Sequence, residues 1–304
     1  MRVTCPPATD RLTRRRSLGS AYAEVMCGRY AASARPEDLV EELDIEADRT
    51  HEVARSVLAS PQSPPPGTPD FNVAPTKQAP VILTRPAKGS AEHEPGRQQR
   101  QLRLLTWGLV PSWAKDAKTG LRMTNARAES VLDKPAFAKP AAVRRALVPA
   151  HGWYEWQVSP TALDAKGKAR KQPFFITRAD GATMAMAALY EFWRDPSLAP
   201  ADPLAWLATY AIITTAAEPG LDRIHDRQPL VLERRDWGRW LDPAEGDLAV
   251  VAELLRYAEP GRFDALPVSA AVNATRNNGP QLIQPVGRAD LHGVVDPGTG
   301  EVLE

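Results

Sequence analysis

The residue with the most distinctive chemistry is Cys27, which directly follows Met26. If the chain began at Cys27, its α-amine and its thiol would lie on adjacent carbons. With ordinary pKa values of about 7.7–8.0 and about 8.5, both groups would be nucleophiles near neutral pH. Such a 1,2-aminothiol reacts selectively with aldehydes: the amine forms an imine, and the sulfur then closes a thiazolidine ring. The alternative is a small buried apolar residue without a chemical role.

Glu155 is surrounded by aromatic residues in the run Gly-Trp-Tyr-Glu-Trp at 152–156. If its side chain points inward, burial would raise its pKa, as a general acid or base requires. Strand alternation puts Glu155 on the same face as Trp153 and Gln157, so it could instead be a rim carboxylate on a half-exposed strand.

His225 lies in the run Ile-His-Asp-Arg-Gln-Pro at 224–229. A histidine titrates near neutral pH and can accept or deliver a proton in a reaction. The alternative is an ordinary loop histidine whose charged neighbours only bracket a turn.

Three polar residues, Asn125, Arg127 and Glu129, alternate with alanines. In an extended segment they would share one side, where an amide could orient a substrate and a guanidinium could bind phosphate. The alternative is a helix start, with Asn125 as its cap and Glu129 in its first turn.

Tryptophans and arginines are interleaved in the first half of the chain, a combination that suits stacking on nucleic-acid bases. Stacking contributes about 1–3 kcal/mol per base, although most tryptophans in proteins belong to the core. The residues concerned are Trp107, Trp113, Trp153, Trp156, Arg29, Arg127, Arg144 and Arg145.

Composition excludes several classes of protein. The 38 basic and 37 acidic residues give a net charge of +1, so any phosphate contact must come from a local patch. Two cysteines, Cys5 and Cys27, are too few for a disulfide scaffold or a cysteine-rich zinc module, and the five histidines lack metal-ligand spacing.

Glycine-rich phosphate loops and the GxSxG nucleophile motif are absent from the sequence. The apolar stretch 207–217 falls short of the ~20 residues that a membrane helix needs. We expect no metal, no organic cofactor and no membrane association, in a reducing cytoplasmic setting.

Short β-branched and aromatic runs predict strands at 81–84, 102–107, 146–148, 153–158, 174–177, 184–190, 210–215 and 265–268. Helices are predicted from Pro36 and at 236–241 and 248–257. Many short strands and few long helices favour an α+β fold: a single domain built on antiparallel, barrel-like β-sheets with short flanking helices. We expect the domain to span 27–286 and residues 287–304 to form a loose tail.

Seven runs, found in order between residue 26 and about residue 286, together resemble the SOS response-associated peptidase (SRAP) family. They are Met-Cys-Gly-Arg-Tyr at 26–30, Asn-Val-Ala-Pro-Thr at 72–76, Trp-Gly-Leu-Val-Pro-Ser-Trp at 107–113, Asn-Ala-Arg-Ala-Glu at 125–129, Trp-Tyr-Glu-Trp at 153–156, Ile-His-Asp-Arg at 224–227 with Pro229, and Val-Ser through Val-Asn at 268–273.

The resemblance implies covalent capture of abasic sites in single-stranded DNA, including at single-strand–double-strand junctions of replication forks. Cys27 would form a thiazolidine with the ring-opened sugar, Asn125 would position the amine and the sugar, and Glu155 would transfer protons. His225 would help to open the sugar ring.

For DNA binding, the resemblance implies backbone contacts from Arg29 and Arg127, with Pro75 and Trp156 in a wedge and stacking surface; we add Trp107 as a stacking face. We expect a monomer associated with the nucleoid.

An amide nitrogen cannot form an imine, because its lone pair is delocalised into the peptide bond. We therefore expect residues 1–26 to be absent from the active protein, through a start at Met26 followed by methionine removal, or through self-cleavage. Two alternatives stay open: a cysteine peptidase using Cys27, His225 and Asn125, and a non-catalytic module that binds single-stranded nucleic acid.

Overall fold

The computed structural model describes residues 27–87, 97–256 and 260–304, in which strands form most of the regular structure. The strands are β1 (Arg29–Ala32), β2 (Ala47–Asp48), β3 (Asp70–Val73), β4 (Gln78–Pro86), β5 (Gln98–Trp107), β6 (Asn125–Arg127), β7 (Arg145–Ala150), β8 (Gly152–Leu163), β9 (Ala169–Arg178), β10 (Met184–Arg194), β11 (Trp206–Ala216), β12 (Arg227–Pro229), β13 (Val231–Leu232) and β14 (Phe263–Pro267). The helices are α1 (Pro36–Glu42), α2 (Ala117–Gly120), α3 (Ala138–Val143), α4 (Arg234–Leu241) and α5 (Leu248–Leu254). Among the described residues, 3-10 turns lie at Leu221–Arg223, Ala270–Asn273, Pro280–Ile283 and Arg288–Asp290.

A closed ring of five strands forms the barrel at the centre of the molecule. β11 pairs with β10, β10 with β7, β7 with β4 and β4 with β5, each antiparallel, and β5 returns to β11 in a parallel pairing. Because an odd number of strands cannot alternate direction around a ring, one pairing has to be parallel. The short strand β6 adds to β11, also in parallel.

Four of the five barrel strands, β4, β7, β10 and β11, are buried on both faces over most of their length, and their alternating side chains belong to two separate cores. Val81 and Leu83 face the interior core, whereas Ile82 between them faces the helix-covered core. That outer core contains Trp240 of α4 and Val251 of α5. Burial on both faces explains why these strands are continuous apolar runs in the sequence.

A second sheet, with strand order β14-β9-β8-β1-β3, is antiparallel throughout. Tyr30 of β1 and Trp153 of β8 join the interior core of the barrel, so the two sheets share one hydrophobic centre. β8 starts at Gly152, where a Cβ would lie 2.3 Å from the Phe175 ring. Only glycine permits this close approach of β8 to β9.

The predicted fold class is confirmed, with parallel pairings added at β2, β5, β6 and β11. Each predicted strand overlaps a strand of the structure. Helices α1 and α5 begin at the predicted residues, whereas α4 begins two residues earlier than predicted, at Arg234, and α5 ends at Leu254. None of the described helices has the length and apolarity needed to cross a membrane. The predictions about the extension 1–26 lie outside the described residues.

The prediction of a loose tail at 287–304 is wrong. Val294 is buried, and Val295 exchanges two hydrogen bonds with the side chain of Gln157, at 2.8 and 2.9 Å. Ser159 also donates to the carbonyl of Gly293 at 2.5 Å. The domain therefore continues past residue 286, because these residues complete the packing and the hydrogen bonds of β8.

Candidate active site

Cys27 and Glu155 meet because β1 pairs with β8, Arg29 lying opposite Tyr154. The main-chain N–H of Cys27 donates to Oε1 of Glu155 at 2.9 Å. Glu155 is only 3% exposed, so its face of β8 is the inner one, and the alternative of a rim carboxylate is wrong. A carboxyl oxygen thus accepts a hydrogen bond from the nitrogen that the expected chemistry would use.

The thiol of Cys27 lies in an environment that favours its neutral form. Burial raises the pKa of the thiol well above its ordinary value, and the nearby Glu155 carboxylate raises it further. Cys27 also has a φ of 39°, a left-handed conformation that is uncommon for a residue with a side chain. The site therefore presents a protonated thiol on a strained backbone.

Asn125 approaches Cys27 from the other side, on β6. Because β6 is an extended strand paired with β11, the alternative of a helix cap is wrong. The side-chain Nδ2 lies 3.4 Å from the carbonyl oxygen of Cys27 and 3.5 Å from Oγ1 of Thr124. Both distances are long for hydrogen bonds, so neither contact holds the amide tightly.

His225 lies in the turn between β11 and β12, with its side chain largely buried. Its Nδ1 accepts the main-chain N–H of Arg227 at 3.1 Å, which leaves Nε2 to carry the proton of the neutral ring. Oδ1 of Asp226 is also 3.1 Å from Nδ1, but that side chain is mostly solvent-exposed. In the part of the chain that the structure describes, no hydrogen bond joins His225 to Cys27.

The prediction of Trp107 as a stacking face is wrong, because Trp107 is fully buried in the interior core. Its ring lies between Tyr30 and Tyr210, with centroids 5.2 and 6.3 Å away. Its indole N–H donates to the carbonyl of Thr124, the residue before Asn125, at 2.9 Å. Trp107 has no surface on which a base could stack.

Arg29 and Trp156 form a surface layer against the turn Ala270–Asn273. Arg29 Nη1 donates to Asn72 Oδ1 at 2.9 Å and to the carbonyl of Val272 at 2.8 Å, and its guanidinium lies 5.9 Å from the Trp156 ring. The Trp156 indole donates to Asn273 Oδ1 at 2.7 Å. Arg29 therefore joins β1 to Asn72 and to the turn Ala270–Asn273, whether or not it also contacts a ligand.

Pro75 and Arg127, which the resemblance implies as DNA contacts, are both accessible at the surface. Pro75 is half-buried in a tight turn, where the next residue, Thr76, has a φ of 74° and donates its N–H to the carbonyl of Trp107 at 2.8 Å. Arg127 is exposed at the end of β6. Trp113 is 66% exposed, so it presents the free aromatic face that Trp107 lacks.

A buried network of polar residues, which sequence reasoning missed, supports this surface. Lys77 forms a 2.6 Å ion pair with Asp70 and also donates to the carbonyl of Asn72. Asn72 Nδ2 lies 3.1 Å from each of three carbonyl oxygens, those of Val272, Ala274 and Asn277. In the sequence, the run at 72–76 was noted only as one of the family motifs. It did not predict that the Asn72 amide would bind these three carbonyl oxygens.

Comparisons with known proteins agree with this architecture. The family model for SOS response associated peptidase (SRAP) matches residues 26–275. The abasic site processing protein YoqW of Bacillus subtilis is 35% identical over 261 residues, covering 85% of this chain and 99% of that protein. The abasic site processing protein HMCES of Rattus norvegicus is 29% identical over 295 residues, covering 88% and 77%.

A crystal structure of a Bacteroides thetaiotaomicron protein superposes with a TM-score of 0.65 at 23% identity, covering 86% of this chain and all of that chain. At this level of identity the match supports the fold alone.

Proposed function

Since the chain belongs to the SRAP family, we propose that it processes abasic sites by trapping them in single-stranded DNA through a covalent bond to Cys27. The observation that carries this proposal is the 2.9 Å contact between the nitrogen of Cys27 and the carboxylate of Glu155, with the amide of Asn125 on the neighbouring carbonyl. The nitrogen and sulfur of Cys27 would be the two nucleophiles, Glu155 would carry protons, and the Asn125 amide would orient the substrate. Together these groups suit the capture of an aldehyde.

The reaction joins one aldehyde to one aminothiol and releases one water. The Cys27 amine attacks C1 of the ring-opened sugar, and Glu155 accepts a proton from the nitrogen and returns one to the departing hydroxyl, giving an imine. The thiol sulfur then bonds to the same carbon while its proton passes to the nitrogen, which closes the thiazolidine. The raised pKa of the thiol fits this order, because the amine is the available nucleophile at neutral pH.

His225 has the protonation geometry for the preceding step, in which the closed sugar opens to the aldehyde. With Nδ1 accepting the N–H of Arg227, Nε2–H can donate a hydrogen bond to the ring oxygen of the sugar as its bond to C1 breaks. The C1 hydroxyl gives up a proton and the ring oxygen takes one, both through water.

Formation of the imine requires a free amine at Cys27, so the active protein begins at that residue. The positive φ of Cys27 supports this requirement. Part of the steric cost of that conformation comes from the preceding carbonyl oxygen, and it disappears once the peptide bond before Cys27 is gone. Intact-mass measurement of protein made from its own gene tests the point, since we expect the mass of residues 27–304; a mass that includes residues 1–26 in protein that forms the adduct would contradict it.

DNA would lie over the surface that carries Arg127, Pro75 and Trp156, with Trp113 as a further stacking face. An exposed guanidinium and accessible aromatic rings suit a single strand, whose backbone and bases they would contact.

The cysteine-peptidase alternative needs a thiolate paired with a histidine, which lowers the pKa of the thiol. Burial here raises that pKa instead. A non-catalytic binding module would have no use for a buried carboxylate at the nitrogen of Cys27, and it would bind DNA reversibly.

The decisive experiment uses an oligonucleotide with one abasic site, and a matched oligonucleotide with a stable tetrahydrofuran analogue that cannot open to an aldehyde. We expect a protein–DNA adduct that survives denaturing electrophoresis with the first and not with the second. Cys27→Ala and Cys27→Ser should abolish it. An undiminished adduct with Cys27→Ala would overturn the proposal.

A further inference from the structure

Trp107 connects the two segments that carry Cys27 and Asn125. Its ring packs edge-on against Tyr30, which lies three residues after Cys27, at 5.2 Å and 68°. Its indole N–H donates to the carbonyl of Thr124, directly before Asn125, at 2.9 Å. The same carbonyl accepts the main-chain N–H of Ile212 of β11 at 3.0 Å.

The position of the indole is fixed from several directions. Tyr210 stacks on it at an interplanar angle of 10°, and the hydroxyl groups of Tyr30 and Tyr210 are 2.6 Å apart. The next residue, Gly108, has a φ of +124°, and a Cβ there would lie 2.4 Å from the carbonyl oxygen of Leu121. The chain leading to Asn125 is therefore packed directly onto the end of β5.

We infer that Trp107 is a positioning residue, which sets the amide of Asn125 against Cys27 through its hydrogen bond to the Thr124 carbonyl. This inference rests on the proposed function for its kinetic consequence. The amide of Asn125 is already 3.4 Å from the Cys27 carbonyl, so a small rotation of β6 breaks that contact. Misplacing a reacting or orienting group by about 1 Å costs up to about 100-fold in rate.

Trp107→Phe tests the inference, because it keeps a buried ring and removes the N–H donor. We expect the single-turnover rate constant for adduct formation to fall about ten-fold. The Kd for undamaged single-stranded DNA should stay within about two-fold, because a fully buried indole cannot contact DNA.

Trp240→Phe is the matched control. Trp240 is also fully buried and donates its indole N–H to a backbone carbonyl, that of Ala146, at 2.8 Å, but it lies in the outer core. It should lose stability like Trp107→Phe while retaining the wild-type rate. Equal rate losses in the two variants would mean that general destabilisation, and not positioning, is responsible, and would overturn the inference.

A double-mutant cycle separates positioning from any other role. If Trp107 acts through Asn125, Trp107→Phe should slow the reaction little further in an Asn125→Ala background. Fully multiplicative losses would overturn the inference.

The side-chain amide signals of Asn125 in an NMR spectrum give a readout that needs no adduct. They should shift in Trp107→Phe and not in Trp240→Phe. If the wild-type protein formed no adduct, the proposed function would be wrong. The NMR measurement would still show whether Trp107 positions the Asn125 amide.

Discussion

Arg227 and Glu129 form a two-point ion pair, with Nη1–Oε1 and Nη2–Oε2 distances of 2.6 and 2.9 Å. Arg227 lies two residues after His225, and Glu129 lies four residues after Asn125. The same guanidinium donates to the carbonyl of Thr214 on β11 at 2.6 Å. One side chain therefore ties the turn of His225 to the segment of Asn125 across the edge of the barrel.

This ion pair predicts a dependence of stability on pH. Hydrogen bonds from Arg227 hold the pKa of Glu129 below its usual value, so the pair stabilises the folded state fully above the ordinary glutamate pKa of about 4.3. That stabilisation is lost as the pH falls through the lower pKa of the folded state. Glu129→Gln should cost at most about 1 kcal/mol at pH 7, since its side chain is partly exposed.

The difference in the free energy of unfolding between wild type and Glu129→Gln should shrink below pH 4. Urea unfolding at pH 7 and pH 3.5 measures it. A difference that grew on acidification would show that the carboxylate is not stabilised by Arg227.

Glu155→Gln should slow adduct formation by about 100-fold or more, because an amide keeps the shape of the side chain but cannot carry a proton. The affinity for undamaged single-stranded DNA should be unchanged, since Glu155 is buried. Single-turnover kinetics and fluorescence anisotropy measure the two quantities on the same preparation. A wild-type rate in the variant would remove Glu155 from the reaction.

Arg127→Ala and Arg29→Ala should weaken DNA binding in different ways. Arg127 is exposed, so its loss should reduce the slope of log K against log salt by about one and leave the Tm unchanged. Arg29 holds Asn72 and the carbonyl of Val272, so its loss should also lower the Tm. A thermal melt beside a salt titration distinguishes the two, and an unchanged Tm for Arg29→Ala would contradict its structural role.

Gln157→Ala should destabilise the protein by about 1–3 kcal/mol, because it leaves the half-buried N–H and carbonyl groups of Val295 without their partners. Val158→Ala, on the exposed face of the same strand, should change the free energy of unfolding by about 0.5 kcal/mol or less. Chemical denaturation of the two variants makes the comparison. Equal stabilities would mean that residues 287–304 contribute little to folding.

The strands and the fold class could be predicted because local patterns determine them. Runs such as 146–148 and 211–213 are apolar at every position, which is typical of strands buried on both faces. The alternation of Trp153, Glu155 and Gln157 indicated a shared face, but which face is inward depends on pairing with β1 and on the barrel. The exposure of each tryptophan depends on the same distant contacts. The sequence therefore could not show that Trp107 is buried and Trp113 is exposed.

The packed end of the chain had no local signal. Residues 287–304 are rich in glycine and acidic residues, which favoured a loose tail. Their order comes from Gln157, which lies 138 residues from Val295 along the chain. The hydrogen bond from Asn72 to the carbonyl of Val272 joins residues that are even farther apart, 200 positions along the chain.

The parallel pairing of β5 with β11 has two residue pairs, Thr106 with Thr209 and Trp107 with Tyr210, as few as the pairing of β4 with β7 and fewer than either pairing of β10. Thr106 also keeps a buried hydroxyl that makes no hydrogen bond in the described part of the chain. A ring opens first where the fewest bonds must break, so we expect amide hydrogen exchange along this pairing to precede exchange in β10. Trp107 belongs to this pairing. Local opening of β5 from β11 would therefore displace Asn125 from Cys27 while most of the molecule stayed folded.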